Sequence, residues 1–214
     1  MKFKIVRDYY DRKEYIYEKT SVTLKPGVTV LVGCNGAGKT TLIYQLQEKC
    51  RKAEIPYFSF DNYLDGGRSA MSKLGFFGDT DALVQDFVAS EGERISNNMG
   101  RQAAQMGRFV MSNKGAEKLF FFFDAIDSGL SIDNVLEIKR YLFDTVIEDS
   151  QSRGTEVYII VSANEYEMAR GEQCLDTQSL KYVKIDTYDD YRNLIIQSRQ
   201  KKNKRYGHDD FELV

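Results

Sequence analysis

Residues 28–41 read Val-Thr-Val-Leu-Val-Gly-Cys-Asn-Gly-Ala-Gly-Lys-Thr-Thr, and this stretch decides the fold. Val28–Val32 is a continuous apolar run, as expected for a strand covered on both faces. Gly33–Gly38 is a glycine-rich turn. Thr40–Arg51 reads as a helix with Leu42, Tyr44, Leu46 and Cys50 roughly on one side. Gly33 to Thr40 fits G-x-x-x-x-G-K-[ST] without mismatch, in the strand–turn–helix context that this spacing requires. Gly33, Gly36 and Gly38 let the backbone turn tightly and aim N–H groups inward. The helix N-terminus adds the positive end of its dipole. Such a cradle suits phosphate, with Lys39 reaching the outer phosphates and the Thr40 hydroxyl on Mg²⁺.

A phosphate cradle of this kind needs a second oxygen ligand for magnesium, expected at the end of a neighbouring buried strand. Leu119–Phe123 followed by Asp124 supplies it. A carboxylate after five apolar residues is costly to bury unless it meets a cation or a hydrogen-bond donor.

Outward from these two segments, strands and helices alternate. Strands are expected at Lys2–Val6, Tyr15–Lys19, Ser21–Leu24, Ile55–Phe60, Glu156–Val161 and Tyr182–Ile185. Helices are expected at Glu91–Asn113, Ile132–Asp149 and Asp189–Lys202, the last with Tyr191, Leu194 and Ile195 facing inward. The alternation predicts an α/β fold with a mainly parallel sheet, and the cluster of short early strands predicts a small antiparallel lobe.

Composition removes whole classes of function. With 214 residues, the chain can bury the core of one α/β domain. At 42% hydrophobic and 29% charged it is not a disordered chain. Its 30 Lys+Arg against 32 Asp+Glu leave no global charge for steering nucleic acid. One His excludes His-rich metal sites, and three widely spaced Cys argue against a disulfide framework. They fit a reducing, cytoplasmic setting. The apolar run Leu119–Phe123 falls far short of a membrane span, so no membrane partner is expected.

The motifs resemble those of the ABC-type P-loop ATPases, and within them the heads of the SMC, RecF, RecN and OLD group. SVTLKPGVTVLVGCNGAGKTTL (21–42) is similar to their strand, Pro-Gly turn, strand and Walker A, with Asn35 typical of the class. FFFDAIDSGLS (121–131) is similar to their Walker B and D-loop, and Ser90-Glu91-Gly92-Glu93-Arg94 to a shortened signature. The resemblance implies a P-loop NTPase fold over 1–214. Residues 1–32 form the β lobe and first core strand, 33–60 the P-loop and second strand, and 61–113 a reduced helical subdomain. Residues 114–203 form the Walker B half and 204–214 a tail. It implies ATP and Mg²⁺, with Gly33, Asn35, Gly36, Ala37, Gly38, Lys39, Thr40 and Thr41 around the nucleotide and Thr40 and Asp124 on the metal. It also implies a nucleotide-dependent homodimer, in which Ser90 and Gly92 touch the γ-phosphate held by the partner. Ser90-x-x-Glu93 is equally a helix capping box.

Departures from the pattern bear on catalysis. The family's Glu after the Walker B Asp is Ala125 here, and its switch His is Ala163; the sole His is His208. The Q-loop position holds Asp61 or Asn62. Loss of a general base costs ~10²–10⁴-fold in rate. The expected activity is therefore slow ATP hydrolysis resting on Lys39 and Asp124, with Asp127 or Asp61 as substitute base. The alternatives are a non-hydrolysing ATP-dependent scaffold and a small-molecule or nucleotide kinase using Asp61. A partner protein on another chain is expected, in DNA metabolism or defence. Tyr15 or Tyr17 is a candidate for stacking on the adenine. The basic run Lys201–Arg205 suits nucleic acid, an acidic partner or a solvated helix end.

Overall fold

The computed structural model describes residues 1–7, 15–62 and 91–206, with the side chains of 91–99 and 206 excepted. Its main sheet has six strands in the order β4-β5-β6-β3-β7-β8. These are β3 (Gly27–Val32), β4 (Tyr57–Asp61), β5 (Lys118–Asp124), β6 (Glu156–Ser162), β7 (Gln173–Asp176) and β8 (Lys181–Val183). Every pairing from β4 across to β7 is parallel, and only the edge strand β8 is antiparallel. A separate antiparallel pair joins β1 (Lys2–Lys4) to β2 (Ser21–Thr23). The expected α/β architecture with a small antiparallel lobe is what the chain forms.

The Phe run shows why the central strands carry no polar alternation. Phe120 and Phe122 face one side, with Leu31, Ile160 and Leu175, against Leu42, Ile43, Leu46 and Cys50 of α1 (Lys39–Lys52). The β1–β2 lobe covers the same side through Phe3, Val22 and Leu24. Phe121 and Phe123 face the other side, with Val30, Val32, Ile159 and Val161. They pack on Met106 and Val110 of α2 (Glu91–Ser112) and on the long segment after β5. Aromatic geometry adds specificity: Phe120 stacks on Tyr158 at 4.5 Å between centroids, and Phe123 meets Phe143 at 5.3 Å.

The helix expected over Ile132–Asp149 is one continuous run in three parts. α3 (Ile132–Glu137) passes through a π-helical stretch, Ile138–Asp144, into α4 (Thr145–Gln151). The wider π turn brings adjacent residues, Leu142 and Phe143, both to the core. The short α5 (Tyr166–Ala169) follows β6, and α6 (Tyr188–Tyr206) ends the described chain. Tyr191 of α6 is buried, and Leu194 and Ile195 pack partly buried against the core. No helix among the described residues is long and apolar enough to cross a membrane.

Two expectations need correction. Tyr15–Lys19 is not a strand. It runs as an irregular segment held by Ile16 N–H to Arg7 O and Glu18 N–H to Gln178 O, both at 2.8 Å. Tyr44 does not face inward with Leu42 and Leu46. It is 39% exposed, and its hydroxyl donates to Asp61 at 3.2 Å.

Candidate functional site

The C-terminal ends of the parallel strands form one edge, where ligands collect in open α/β sheets at points where the strand order reverses. From β3 the chain crosses to β4, returns through β5 to β6, and then passes to β7 on the far side of β3. The reversal therefore lies at β3 and β6, beneath the Gly33–Gly38 turn. Asp124 does not end a strand next to β3, because β6 lies between. That inserted strand contributes Ser162, whose register partner in β3 is Leu31.

A groove of about 690 Å³ opens along this edge. Asn35, Gly36, Gly38, Lys39, Thr40 and Thr41 line it from one wall, and Asp124, Ala125, Ser162 and Asn164 from the other. The turn takes its shape from its neighbours. Gly38 has φ +97°, and the Tyr17 hydroxyl donates to its carbonyl at 2.8 Å. Tyr17 is fully buried, so its ring presents no face for stacking on a ligand. Tyr15 is half exposed, with the Arg7 guanidinium 3.9 Å over its ring.

Lys39 is partly buried and its ammonium donates to Gly33 O at 2.8 Å. It forms no ion pair among the described residues. Burial pulls its pKa below the ordinary lysine value, opposed by Cys34, Asp127 and Asp124. Asp124 is buried, and the Ser162 hydroxyl donates to its Oδ1. The same Ser162 oxygen accepts the Ala125 N–H at 2.8 Å. Sequence reasoning passed over Ser162 as a positioning residue. A hydroxyl at the end of an apolar strand, level with the acid of the next strand, was the available signal.

Ala125 has φ +53°, a left-handed conformation that costs a residue with a Cβ ~1–2 kcal/mol. Glycine would remove that cost and add ~0.4–1 kcal/mol of unfolded-state entropy. Ala125→Gly is thus expected to stabilise the fold by about 0.5–1 kcal/mol in urea titrations.

Asp127 is wholly buried and does not line the groove. Its Oδ2 accepts Asn164 N–H at 2.7 Å and Glu165 N–H at 2.8 Å, which ties the loop after β5 to the loop after β6. Its Oδ1 has no partner among the described residues. Burial raises its pKa above the ordinary 3.8, against the backbone hydrogen bonds that lower it. The fold therefore favours the protonated form. That contribution is complete below the unfolded value and disappears as pH rises through the folded one. Asp127→Asn is expected to flatten this fall, as read from urea midpoints at a series of pH values from about 3 upward.

Asp61 is level with Asp124 across the β4–β5 ladder, but it does not line the groove. Ala163, at the expected switch-His position, is buried. Ser90 and His208 lie outside the described residues, and Gly92 falls in the first turn of α2. Most of the expected helical subdomain, 63–90, also lies outside them.

The basic run at the end of α6 is not a free patch. Lys201 pairs with Glu18 at 3.4 Å, Lys202 donates to Asn35 O at 3.0 Å and Arg205 donates to Ile16 O at 2.6 Å. Ser198, one turn earlier, accepts the Cys34 N–H at 3.1 Å. This docking of α6 on the glycine turn was not foreseen, and α6 runs to Tyr206, into the expected tail.

A scan of protein-family models finds no match to the chain, and a search of curated proteins finds none either.

Proposed function

We propose that the chain is an ATP-binding ATPase of ABC type, with Gly33–Thr40 as its P-loop, that pairs around nucleotide and hydrolyses it slowly. The observation that carries this reading is Lys39. A partly buried ammonium whose partner is a carbonyl of its own turn, facing an open groove, is poised for an anion. The backbone amides of the turn and the start of α1 would bind phosphate beside it. Gly33, Asn35, Gly36, Ala37, Gly38, Thr40 and Thr41 complete that cradle.

The residues also fit Mg²⁺. This ion usually takes one or two protein carboxylates and leaves its other positions to phosphate and water. No group of three or more His, Cys, Asp or Glu suited to a metal occurs among the described residues, which is compatible with that mode. Thr40 and Asp124 line one groove and would hold the ion, with Ser162 fixing the Asp124 carboxyl. When bound, Mg²⁺ would neutralise charge on the outer phosphates.

Slow hydrolysis follows from what surrounds Asp124. Ala125 and Ala163 carry no proton acceptor. Asp127 is committed through Oδ2 to two backbone amides. The open side of the groove lies at exposed Asn35 and Gly36, where a second copy would close it.

Light scattering and titration calorimetry with MgATP test the reading together. Nucleotide binding with a shift from monomer to dimer supports it. A chain that binds no nucleotide sinks it, and binding by an unchanged monomer sinks the pairing.

A further inference from the structure

We propose that Lys202 of α6 is a second nucleotide-binding cation, reaching from the C-terminal helix of the same chain to the terminal phosphate. The proposal rests on the ATP-binding reading above and adds a residue to that site.

A second cavity, of about 490 Å³, adjoins the groove on the α6 side of the turn. Gly33, Cys34 and Asn35 line it with Ala163 and Asn164 on one side and Arg199 and Lys202 on the other. Asn35 and Asn164 line both the cavity and the groove. Lys39 borders only the groove and Lys202 only the cavity. Both lysines bond carbonyls of the same short turn, Lys39 beside the groove and Lys202 beside the cavity.

Their hydrogen bonding is matched. Lys39 donates to Gly33 O at 2.8 Å and Lys202 to Asn35 O at 3.0 Å. Neither forms an ion pair among the described residues. Two ammonium groups on one glycine turn repel each other, and carbonyl partners compensate them only in part. A polyanion between them reverses the sign of the interaction and gives each a charge-assisted hydrogen bond.

Lys202 is also held in place, not left at a loose chain end. Ser198, one turn earlier on α6, bonds the Cys34 amide, and Arg205, almost one turn later, bonds Ile16 O. The Lys202 ammonium lies 2.9 Å from where a Cβ on Gly36 would project, and Gly36 itself lines the groove. Outer phosphates held by Lys39 in the groove would then be met by Lys202 from the α6 side of the turn. Lys202 and the uncharged Ala163 line the same cavity.

The other role open to Lys202 is a clamp on the Asn35 carbonyl. A clamp shapes the turn for any nucleotide, whereas a terminal-phosphate contact distinguishes three phosphates from two. The test is titration calorimetry on the full chain with Mg²⁺ and either a non-hydrolysable ATP analogue or ADP. Lys202→Met is expected to weaken the ATP analogue about tenfold to a hundredfold, the range of one charge-assisted hydrogen bond. ADP should change less than about twofold. Lys202→Arg, which keeps the charge, should recover most of the loss. Equal losses for both nucleotides, or none for either, overturn the proposal while leaving the ATP-binding reading intact. If the unmodified chain binds neither nucleotide, or Lys39→Met binds both unchanged, the underlying reading fails and the proposal with it. Thermal melts of the Lys202 variants check that the fold is kept.

Discussion

Lys39→Met is expected to lower MgATP affinity by at least about a hundredfold and to leave the fold intact. Hydrogen bonds to charged groups are worth about 1.5–3 kcal/mol, and every 1.4 kcal/mol is tenfold in affinity. The Lys39 ammonium would supply at least one such bond on each phosphate it touches. Its contribution to the folded chain is small, because burial already disfavours its charged form and its hydrogen bond is to the carbonyl of Gly33. The methionine side chain keeps the length and the apolar stem. Affinity measured by calorimetry should collapse while the thermal midpoint moves little. A loss below about fivefold would show that the groove does not use Lys39 as an anion site.

Gly38→Ala is expected to cost about 3 kcal/mol of stability and to abolish nucleotide binding. Two causes add. The first is φ of +97°, a backbone setting that penalises any Cβ by ~1–2 kcal/mol. The second is space. An added Cβ would lie 2.6 Å from Ile16 Cγ2, with Tyr17 Oη and Cε1 at 3.1 and 3.2 Å. Cγ2 sits one bond from the branch point and cannot swing aside, and Tyr17 is fixed by its bond to Gly38 O. Overpacking of this kind costs ~1–3 kcal/mol. In a domain of this size the sum corresponds to roughly 6–12 °C in thermal midpoint. A variant that melts within about 2 °C of the parent would show that the Ile16 segment yields freely.

Local pattern made the centre of the molecule legible. Val28–Val32, the glycine turn and α1 are specified by runs and spacings within 25 residues. Asp124 was found the same way, as an acid at the end of an apolar run. What escaped depends on chain segments far apart in sequence. β7 has four residues with polar ends, too few to show a pattern, and it forms by pairing with β3. Tyr15–Lys19 alternates like a strand, yet β2 pairs with β1 and leaves it to run past the turn instead. Tyr17 reads as a candidate for stacking on the adenine, but it is buried with its hydroxyl on Gly38 O, 21 residues away in sequence. Ser162 and Ser198 are ordinary serines in sequence, and only the sheet register and the docking of α6 give them roles. Asp127 was legible as an acid near the site, but not that its carboxylate would turn toward the amides of 164 and 165.

The docking of α6 also sets an order of events during synthesis. The bonds from Ser198, Lys202 and Arg205 to the Cys34, Asn35 and Ile16 backbones span 164, 167 and 189 residues. The glycine turn is made well before these partners, which follow it by most of the sequence between Ile16 and Arg205. β3 itself lies at the middle of the sheet, between β6 and β7, both of which follow it by more than half the chain. Contacts of such separation form slowly, because the intervening loop must close before they contribute. A ribosome-bound nascent chain would thus carry the turn long before it has the partners that hold it. On the proposed reading, the turn would gain its full nucleotide-binding shape only after α6 has been made and laid across it.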